Sequence, residues 1–417
     1  MTSIVSNEHP FALGEVIERA PGALPDEITN DEHALDVARG IAARFAPGAA
    51  ERDRLRQLPW DELDAFVASG LWGITVPRAY GGPAVRSGTL AEVIALVSEA
   101  DGSLGQIPQN HFYALEVLRV GASAEQQAFF YELVRAGARF GNALAEIGHK
   151  DFKRRTRLVR SEDGWFVDGQ KFYCTGALFA QWIPTHVVAD EGGRDVAYLA
   201  FVPHDLQGVT VTDDWDGFGQ RVTGSGSVRF EHVRVRPEWV VPFQASFDRP
   251  TTIGPFAQLL HAAIDLGQAR GAFAATLDFV RNHARPWVDA RVQRAADDPL
   301  TIAQIGDLAT RLRAAEVLVR RAGRFVDAAQ AAPGERSVAQ ASIAVAEARA
   351  ATTVVSLDAG SRLFELAGTA ATLDDLGLDR FWRNARTHTL HDPVRWKYHA
   401  IGNFHLNDTL PPRHGAI

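Results

Sequence analysis

The 417-residue sequence contains one cysteine, Cys174, and one methionine, Met1. A single thiol excludes an intrachain disulfide and any zinc or iron–sulfur centre built on cysteines, which need two to four ligands. Methionine is a common filler of apolar cores, so its absence beyond the first position is unusual in a chain this long. Two explanations are open: a genome that favours Ala, Arg, Gly and Val, or a protein made when sulfur is scarce. No apolar run approaches the roughly eighteen residues that cross a bilayer, and the opening "MTSIVSNEHPFALGEVIERA" has neither a basic start nor a continuous apolar segment. The expectation is a cytoplasmic protein with no membrane partner. A basic field is missing as well: the formal charge is -8 and the Lys and Arg residues are scattered, so nucleic acid is not an expected partner.

Several motifs are absent too. No G-x-G-x-x-G follows a strand and opens a helix; the nearest stretch, "GFGQRVTG", has the wrong spacing, so neither a nicotinamide site nor a P-loop is inferred. G-x-S-x-G is missing, and "GSGS" (Gly224 to Ser227) precedes an alternating strand with no helix after it.

What is present organises the chain into three parts, and 46% apolar residues suffice to give each a core. Residues 1–135 read as an N-terminal α-helical domain. In "DEHALDVARGIAARF", Leu35, Ala38, Ile41, Ala42 and Phe45 recur at three-to-four spacing behind Asp31 as N-cap, and "DELDAFVASGLWGI" and "TLAEVIALVSEA" repeat the pattern. "TVPRAYGGP" breaks them with a turn or loop. Residues 136–250 read as a compact β domain. "GWFVDGQKFYC" is a hairpin signal with Asp168-Gly169 as its two-residue turn, "WIPTHVVAD" and "DVAYLAFVP" flank a Glu191-Gly192-Gly193 turn, and "GSVRFEHVRV" alternates up to an irregularity at His232. Residues 251–417 return to helix in long stretches, with Asp298-Pro299 as N-cap and N1 and Pro333-Gly334 as a break. Three or four long antiparallel helices make a bundle followed by a C-terminal tail. No period of 20 to 50 residues repeats, which argues against a solenoid.

The densest chemistry lies in "FWRNARTHTLHDP", where His388 and His391 stand three apart and would share one side of a helix. A metal in a helical bundle needs several inward carboxylates and Glu-x-x-His pairs, and the long C-terminal helices have none, so no metal is expected. An imidazole titrates near 6.5 and can give and take a proton at neutral pH, which leaves an acid/base or a structural histidine.

Helices, a β domain and a helical bundle in that order resemble the acyl-CoA dehydrogenase-like flavoproteins, an α+β fold with an N-terminal helical domain, a middle β-barrel or sandwich and a C-terminal four-helix bundle. "GLWGITVPRAYGG" is similar to that superfamily's N-terminal "GLLG-x-x-VP-x-x-YGG", "ALAEIG" stands where its flavin-contacting strand carries Thr-Glu-Pro-Gly, and "LDRFWRNART" resembles "R-x-x-RDAR". Within the superfamily, "GNALAEIG", "KFYCTGA", "DDWDGFGQR", "ARPW" and "DRFWRNARTHTLHDPV" are similar to the dibenzothiophene monooxygenases. "LGQIPQNHFY" and the C-terminal "HDPVRWKYHAIGN" resemble the dimethyl-sulfone-associated, sulfur-acquisition branch, and this strengthens the reading of sulfur scarcity.

The resemblance implies a two-component monooxygenase. A separate NAD(P)H:flavin reductase would supply reduced FMN, with FAD as the other candidate, and O2 would add at flavin C4a. The hydroperoxide would transfer one oxygen to a small sulfone, sulfoxide or sulfinate, for desulfurization. Asn142, Ala143, Leu144, Ala145, Glu146 and Ile147, with Lys171, Phe172, Tyr173, Cys174 and Thr175, would line the flavin, and Asn142 and the Thr175 hydroxyl would sit near N5 and C4a. Trp215 would wall the pocket. Arg285 would bind the phosphate, with Gly368 and Thr369 adding backbone donors, partly from a neighbouring subunit of a homotetramer. His391 would be the acid/base with His388 beside it, and His111 and Phe112 would shape the substrate pocket. The alternative is an FAD-dependent acyl-CoA dehydrogenase with Asp392 as base, one methylene short of the usual Glu and followed by Pro393.

Overall fold

A computed structural model of the protein describes residues 25–148, 151 and 153–417. The opening stretch that carries the cytoplasmic expectation, residues 1–20, lies outside the described residues.

The first part holds α1 (Asp31–Phe45), α2 (Ala49–Leu55), α3 (Trp60–Ala68), α4 (Ser87–Ala100), α5 (Gly102–Gly121) and α6 (Ala124–Arg135). In α1 the inward residues are Ala34, Ala38, Ile41 and Phe45, as the 3.6-residue period requires. The cap is Asn30, not Asp31: the Asn30 side-chain oxygen accepts from the His33 amide at 3.0 Å. Asp31 instead accepts from the Arg86 amide at 2.9 Å, a contact 55 residues away that no local pattern displays. Asp101 caps α5, accepting from the Ser103 and Leu104 amides while pairing with Arg52.

Among the described residues seven strands form one mixed sheet: β1 (Arg157–Ser161), β2 (Gly164–Lys171), β3 (Trp182–Asp190), β4 (Asp195–Pro203), β5 (Val209–Thr212), β6 (Ser227–Val235) and β7 (Val240–Pro242), in the order β5-β6-β2-β1-β3-β4-β7. Among these strands of the described residues, β1 and β3 alone pair in parallel. The β3–β4 turn falls at Glu191-Gly192-Gly193, and His232 takes a positive φ of 50°, both as expected. The expected hairpin at Asp168-Gly169 is wrong. The hairpin closes earlier, where Ser161 faces Gly164, and Asp168-Gly169 lies inside β2 at a bulge where pairing to β6 shifts register. Gly169 has φ 145°, and a Cβ there would sit 2.7 Å from the Thr156 backbone. Asp168 accepts from the His232 amide at 2.6 Å, tying the two irregularities together. An Asp-Gly pair suits a bulge as well as a turn, and only the cross-strand partner separates the two. Just before β1, the chain runs beside β3 through bridges Phe140↔Trp182 and Ala143↔Thr185, which sets residues 142–147 along one sheet end.

The last part comprises α7 (Gln244–Phe247), α8 (Ile253–Asn282), α9 (Pro299–Ala331), α10 (Glu335–Ala367), α11 (Asp379–His388) and α12 (Arg395–Asn407). Asp298 caps α9 through the Leu300 amide at 2.9 Å, with Pro299 at N1 as expected. α8 is buried on every side over most of its length because α10, α9, α11, α5 and α4 surround it; α4, from the first part of the chain, thus joins the bundle. α8 and α10 run parallel, not antiparallel, since Asp265 meets Arg349 at one level and Phe279 clusters with Ala367 further along both.

Candidate functional site

Within this apolar bundle the stretch of α8 from Gln258 to Gln268 carries four buried polar side chains, Gln258, His261, Asp265 and Gln268, spaced so that they fall on one face. A buried polar group is costly without partners, so each should be held by neighbours. Asp265 has no exposed surface and accepts from Arg349 Nη1 of α10, from Thr353 Oγ1 at 3.1 Å and from His388 Nδ1 at 2.5 Å. His388 Nε2 lies 3.0 Å from His261 Nδ1. The His261 ring in turn packs against His391 with centroids 4.0 Å apart. His391 Nδ1 is 2.6 Å from Asp392 Oδ1. Asp392 accepts from Gln258 Nε2 at 3.2 Å and faces Lys397 Nζ at 3.3 Å. Lys397 also donates to Gln258 Oε1 at 3.1 Å and to the Ala416 carbonyl at 2.5 Å, bringing the C-terminal tail against the cluster.

The two histidines singled out in the sequence therefore meet, but not on one helical face. α11 ends at His388, and the His391 amide donates to the His388 carbonyl in a tight turn before Pro393. His261 is what joins them. His388 is 2% exposed, whereas the His391 side chain is 49% exposed, so only His391 can meet a ligand directly. Burial, with the nearby positive charges of Arg349 and of the other histidines, pushes His261 and His388 well below the usual imidazole range. Burial alone would raise the Asp392 carboxyl, but the His391 hydrogen bond and the charges of His391, Arg349 and Lys397 hold it well below the carboxylate range. A carboxylate so stabilised is a weak base, which argues against Asp392 as a proton abstractor. Among the described residues no group of three or more His, Cys, Asp or Glu is arranged to hold a metal.

At the sheet end, the two segments expected to act together are laced to each other. Asn142 Nδ2 donates to the Tyr173 carbonyl at 3.2 Å, the Phe172 amide to the Ala145 carbonyl at 3.1 Å, and Lys171 Nζ to Glu146 at 2.7 Å. Burial alone would raise Glu146, but Lys171 and the Arg155 and Thr156 amides hold it at about 2. Lys171, fully enclosed, is drawn down by burial to about 8 in spite of Glu146. Ile147 and Tyr173 are exposed, Ala143 and Cys174 are buried, and Leu144 is packed against the core. Thr175 Oγ1 lies 2.7 Å from Ser225 Oγ, which is 2.6 Å from Thr223 Oγ1; Thr223 reaches the Gln220 carbonyl, and the Gln220 amide reaches Asn384 of α11. Trp215 Nε1 also donates to the Gln220 carbonyl, with its ring 6.1 Å from that of Tyr173. The Trp215–Gln220 loop thus fastens the sheet end to the helix that bears His388.

Other expected residues lie elsewhere. His111 is fully buried, with Nε2 2.9 Å from the Trp72 carbonyl and Nδ1 accepting from the Phe140 amide at 3.1 Å. Burial pushes it down to about 3. Both ring nitrogens are used inside the core, and Phe112 beside it is equally buried. Arg285 is exposed just beyond the end of α8, and Gly368 and Thr369 are exposed at the end of α10, which shares that end of the bundle. From His261 to Asn282, α8 rises about 30 Å, so Arg285 and His391 are too far apart to touch one small ligand within a single chain.

His261, Asp265, Gln258, Arg349, Lys397 and Ser225 were missed from sequence. The signal for the first three was the polar spacing inside "PFAQLLHAAIDLGQ"; Arg349, Lys397 and Ser225 had none.

Residues 30–137 match the model of the acyl-CoA dehydrogenase N-terminal domain, and residues 259–396 that of the acyl-CoA dehydrogenase C-terminal domain. The chain is 34% identical over 397 residues to a dibenzothiophene monooxygenase of Rhodococcus erythropolis, covering 91% of this chain and 95% of that one. It is 32% identical over 385 residues to the probable FMNH2-dependent monooxygenase SfnC of Pseudomonas putida, covering 91% and 96%. The crystal structure of FMN-bound TdsC from Paenibacillus sp. A11-2 superposes with a TM-score of 0.88 at 33% identity, covering 92% of this chain and all of that one. The methanesulfinate monooxygenase MsuC of Pseudomonas fluorescens does so with 0.85 at 32% identity, covering 92% and 99%. The chain belongs to the acyl-CoA dehydrogenase superfamily and, within it, to the family of the dibenzothiophene monooxygenases.

Proposed function

We propose that the protein is a two-component, reduced-FMN-dependent monooxygenase acting on a small organosulfur compound, a sulfone, sulfoxide or sulfinate, with His391 as its proton-transfer residue. The observation that carries this reading is the half-exposed His391, anchored through Nδ1 to a deeply ionised Asp392 and backed by the buried His261–His388 pair. Nδ1 is committed to Asp392, so Nε2 is the atom left to hold or hand over a proton at the reacting centre. The relatives named for dibenzothiophene, FMNH2 and methanesulfinate support the reaction class.

The residues present fit a flavin. Asn142 Oδ1 has no hydrogen-bond partner within the protein, while its amide nitrogen is fixed by Tyr173, so the oxygen is free to accept from a ring N–H. The peptide edge of residues 142–147 and 171–175 would hold the ring system, with Trp215 beside Tyr173. The exposed Arg285 guanidinium, with Gly368 and Thr369 at the same bundle end, suits a phosphate. When bound, reduced FMN supplies the two electrons with which O2 is split, one oxygen atom going to sulfur or its neighbour and the other leaving as water. This chain's tasks are to exclude water and to keep a proton available at His391 Nε2.

The rise of about 30 Å along α8 between the His391 end and the Arg285 end suits a site whose two ends come from different subunits, and this supports a homotetramer. Exposed Trp287, Val288, Leu300, Val354, Leu373 and Leu376 on the bundle offer the apolar surface for such assembly. A separate flavin reductase and a cytoplasmic location complete the proposal. The test is a panel of dimethyl sulfone, methanesulfinate and dibenzothiophene with photoreduced FMN and air. Oxygenated product from a small member supports the reading; rapid flavin bleaching by an acyl-CoA and no oxygenated product from any member would overturn it.

A further inference from the structure

The chain Arg349–Asp265–His388–His261 has a consequence for proton placement. A carboxylate only accepts, so Asp265 requires the His388 proton on Nδ1. A neutral His388 then presents a bare Nε2, and the nitrogen facing it at 3.0 Å, His261 Nδ1, must carry the proton. His261 Nε2 is thereby bare. This is the opposite tautomer from the one free histidine favours in water, and it is imposed at two rings in succession by one buried carboxylate.

Arg349 decides why the chain stays neutral. An unpaired buried Asp265 would draw a second proton onto His388, but Arg349 Nη1 already donates to that carboxylate. Asp265 therefore orients the first ring without charging it. The groups around the cluster are Asp265 and His261 from α8, Arg349 from α10, His388 from α11, His391 and Asp392 from the following turn, and Lys397 from α12. His414 of the C-terminal tail feels Lys397 and Asp392 as well. Of these, only His391 joins an imidazole to substantial exposure and a carboxylate of its own.

We propose that His261 is a positioning residue for His391: held by Arg349, Asp265 and His388 with its proton on Nδ1, it forms a neutral wall beneath the His391 ring and confines the cluster's exchangeable proton to His391. The role toward reaction rests on the reading of His391 as the proton-transfer residue; the tautomer assignment does not.

The experiment uses the full chain, free of flavin, labelled with 15N-histidine and measured by solid-state NMR at pH 7, with His261→Asn and His388→Asn assigning the two rings. Both should show a protonated Nδ1 and a bare Nε2. Asp265→Asn, whose amide can donate to His388 Nδ1, should flip both rings to Nε2–H. A wild-type Nε2–H or doubly protonated signal at either ring, or an Asp265→Asn protein in which neither ring flips, overturns the proposal. If Asp265→Asn fails to fold, the wild-type spectrum still decides the tautomers and His261→Ala, which removes the ring beneath His391, decides the role. With reduced FMN, oxygen and the accepted substrate, His261→Ala should keep His388 in the Nδ1–H form through Asp265 while the ratio of oxygenated product to hydrogen peroxide falls about tenfold, a part of the 10²–10⁴-fold a positioned acid supplies. An unchanged ratio overturns the positioning role. Native tautomers as stated in a protein that oxygenates nothing would sink the monooxygenase reading alone.

Discussion

Replacing Arg349 by Met removes the cation from the buried end of the histidine chain while filling much of its volume. Asp265, without exposed surface, would keep only the Thr353 hydroxyl and the His388 imidazole as donors. Truncating one partner of a buried ion pair costs about 3–5 kcal/mol. Part of that cost should return at low pH. In the native protein burial and Arg349 hold His388 well below the usual imidazole range; without Arg349 the nearest charge is Asp265, and the direction reverses. A histidine whose folded value lies above its unfolded value of about 6.5 stabilises fully below the unfolded value and loses that stability as pH rises through the folded one. Each unit of displacement is worth about 1.4 kcal/mol. The deficit relative to wild type should therefore be about 3–5 kcal/mol at pH 9 and smaller at pH 6. Urea unfolding of both proteins at one fixed protein concentration measures it, since assembly adds a concentration dependence. A deficit under about 1 kcal/mol, or one equal at both pH values, would refute the reasoning.

His391→Ala leaves the buried Asp392 with Gln258 and Lys397 alone and should cost about 1–3 kcal/mol, while oxygenated product falls by about 10²-fold or more in favour of hydrogen peroxide; urea unfolding and product and peroxide assays on the same protein check this. Glu146→Gln should remove acid sensitivity from the sheet end. The depressed Glu146 contributes stability above its unfolded value of about 4.5 that fades as pH falls toward about 2, so wild type and variant should differ at pH 6 and converge near pH 2 in denaturant titrations. Ser225→Ala strips Thr175 of its buried partner and should cost about 1 kcal/mol, read as a shift in urea midpoint.

Helices with a clean period and flanking punctuation were readable from sequence: Asp298-Pro299, Pro333-Gly334 and the Glu191-Gly192-Gly193 turn are all local signals, and they stand where expected. What failed depended on partners distant in sequence. Asp168-Gly169 became a bulge because β6 pairs across it, and Asn30 took the cap because Asp31 had Arg86 to bind. The same division runs through the candidate site. "FWRNARTHTLHDP" announced His388 and His391, and the match to a family placed residues 142–147 beside 171–175. The groups that hold the two histidines come from α8, α10 and α12 through contacts spanning 84 to 139 residues, as Arg349–Asp265 and Lys397–Gln258 do. His261 and Asp265 were visible as a polar pair in an apolar helix, but a buried polar residue declares its role only once its partner is known. His111, which stood out in sequence, is a core histidine with both nitrogens occupied.

The most direct test of the central claim follows the oxygen atom. Protein and anaerobically reduced FMN are mixed with 18O2 and a small sulfinate or sulfone, and the product is weighed by mass spectrometry. The account predicts one 18O per product molecule in wild type, with little hydrogen peroxide, and loss of the labelled product with gain of peroxide in His391→Ala. Product that carries no 18O, or reducing equivalents recovered wholly as peroxide with every substrate of the panel, would contradict it.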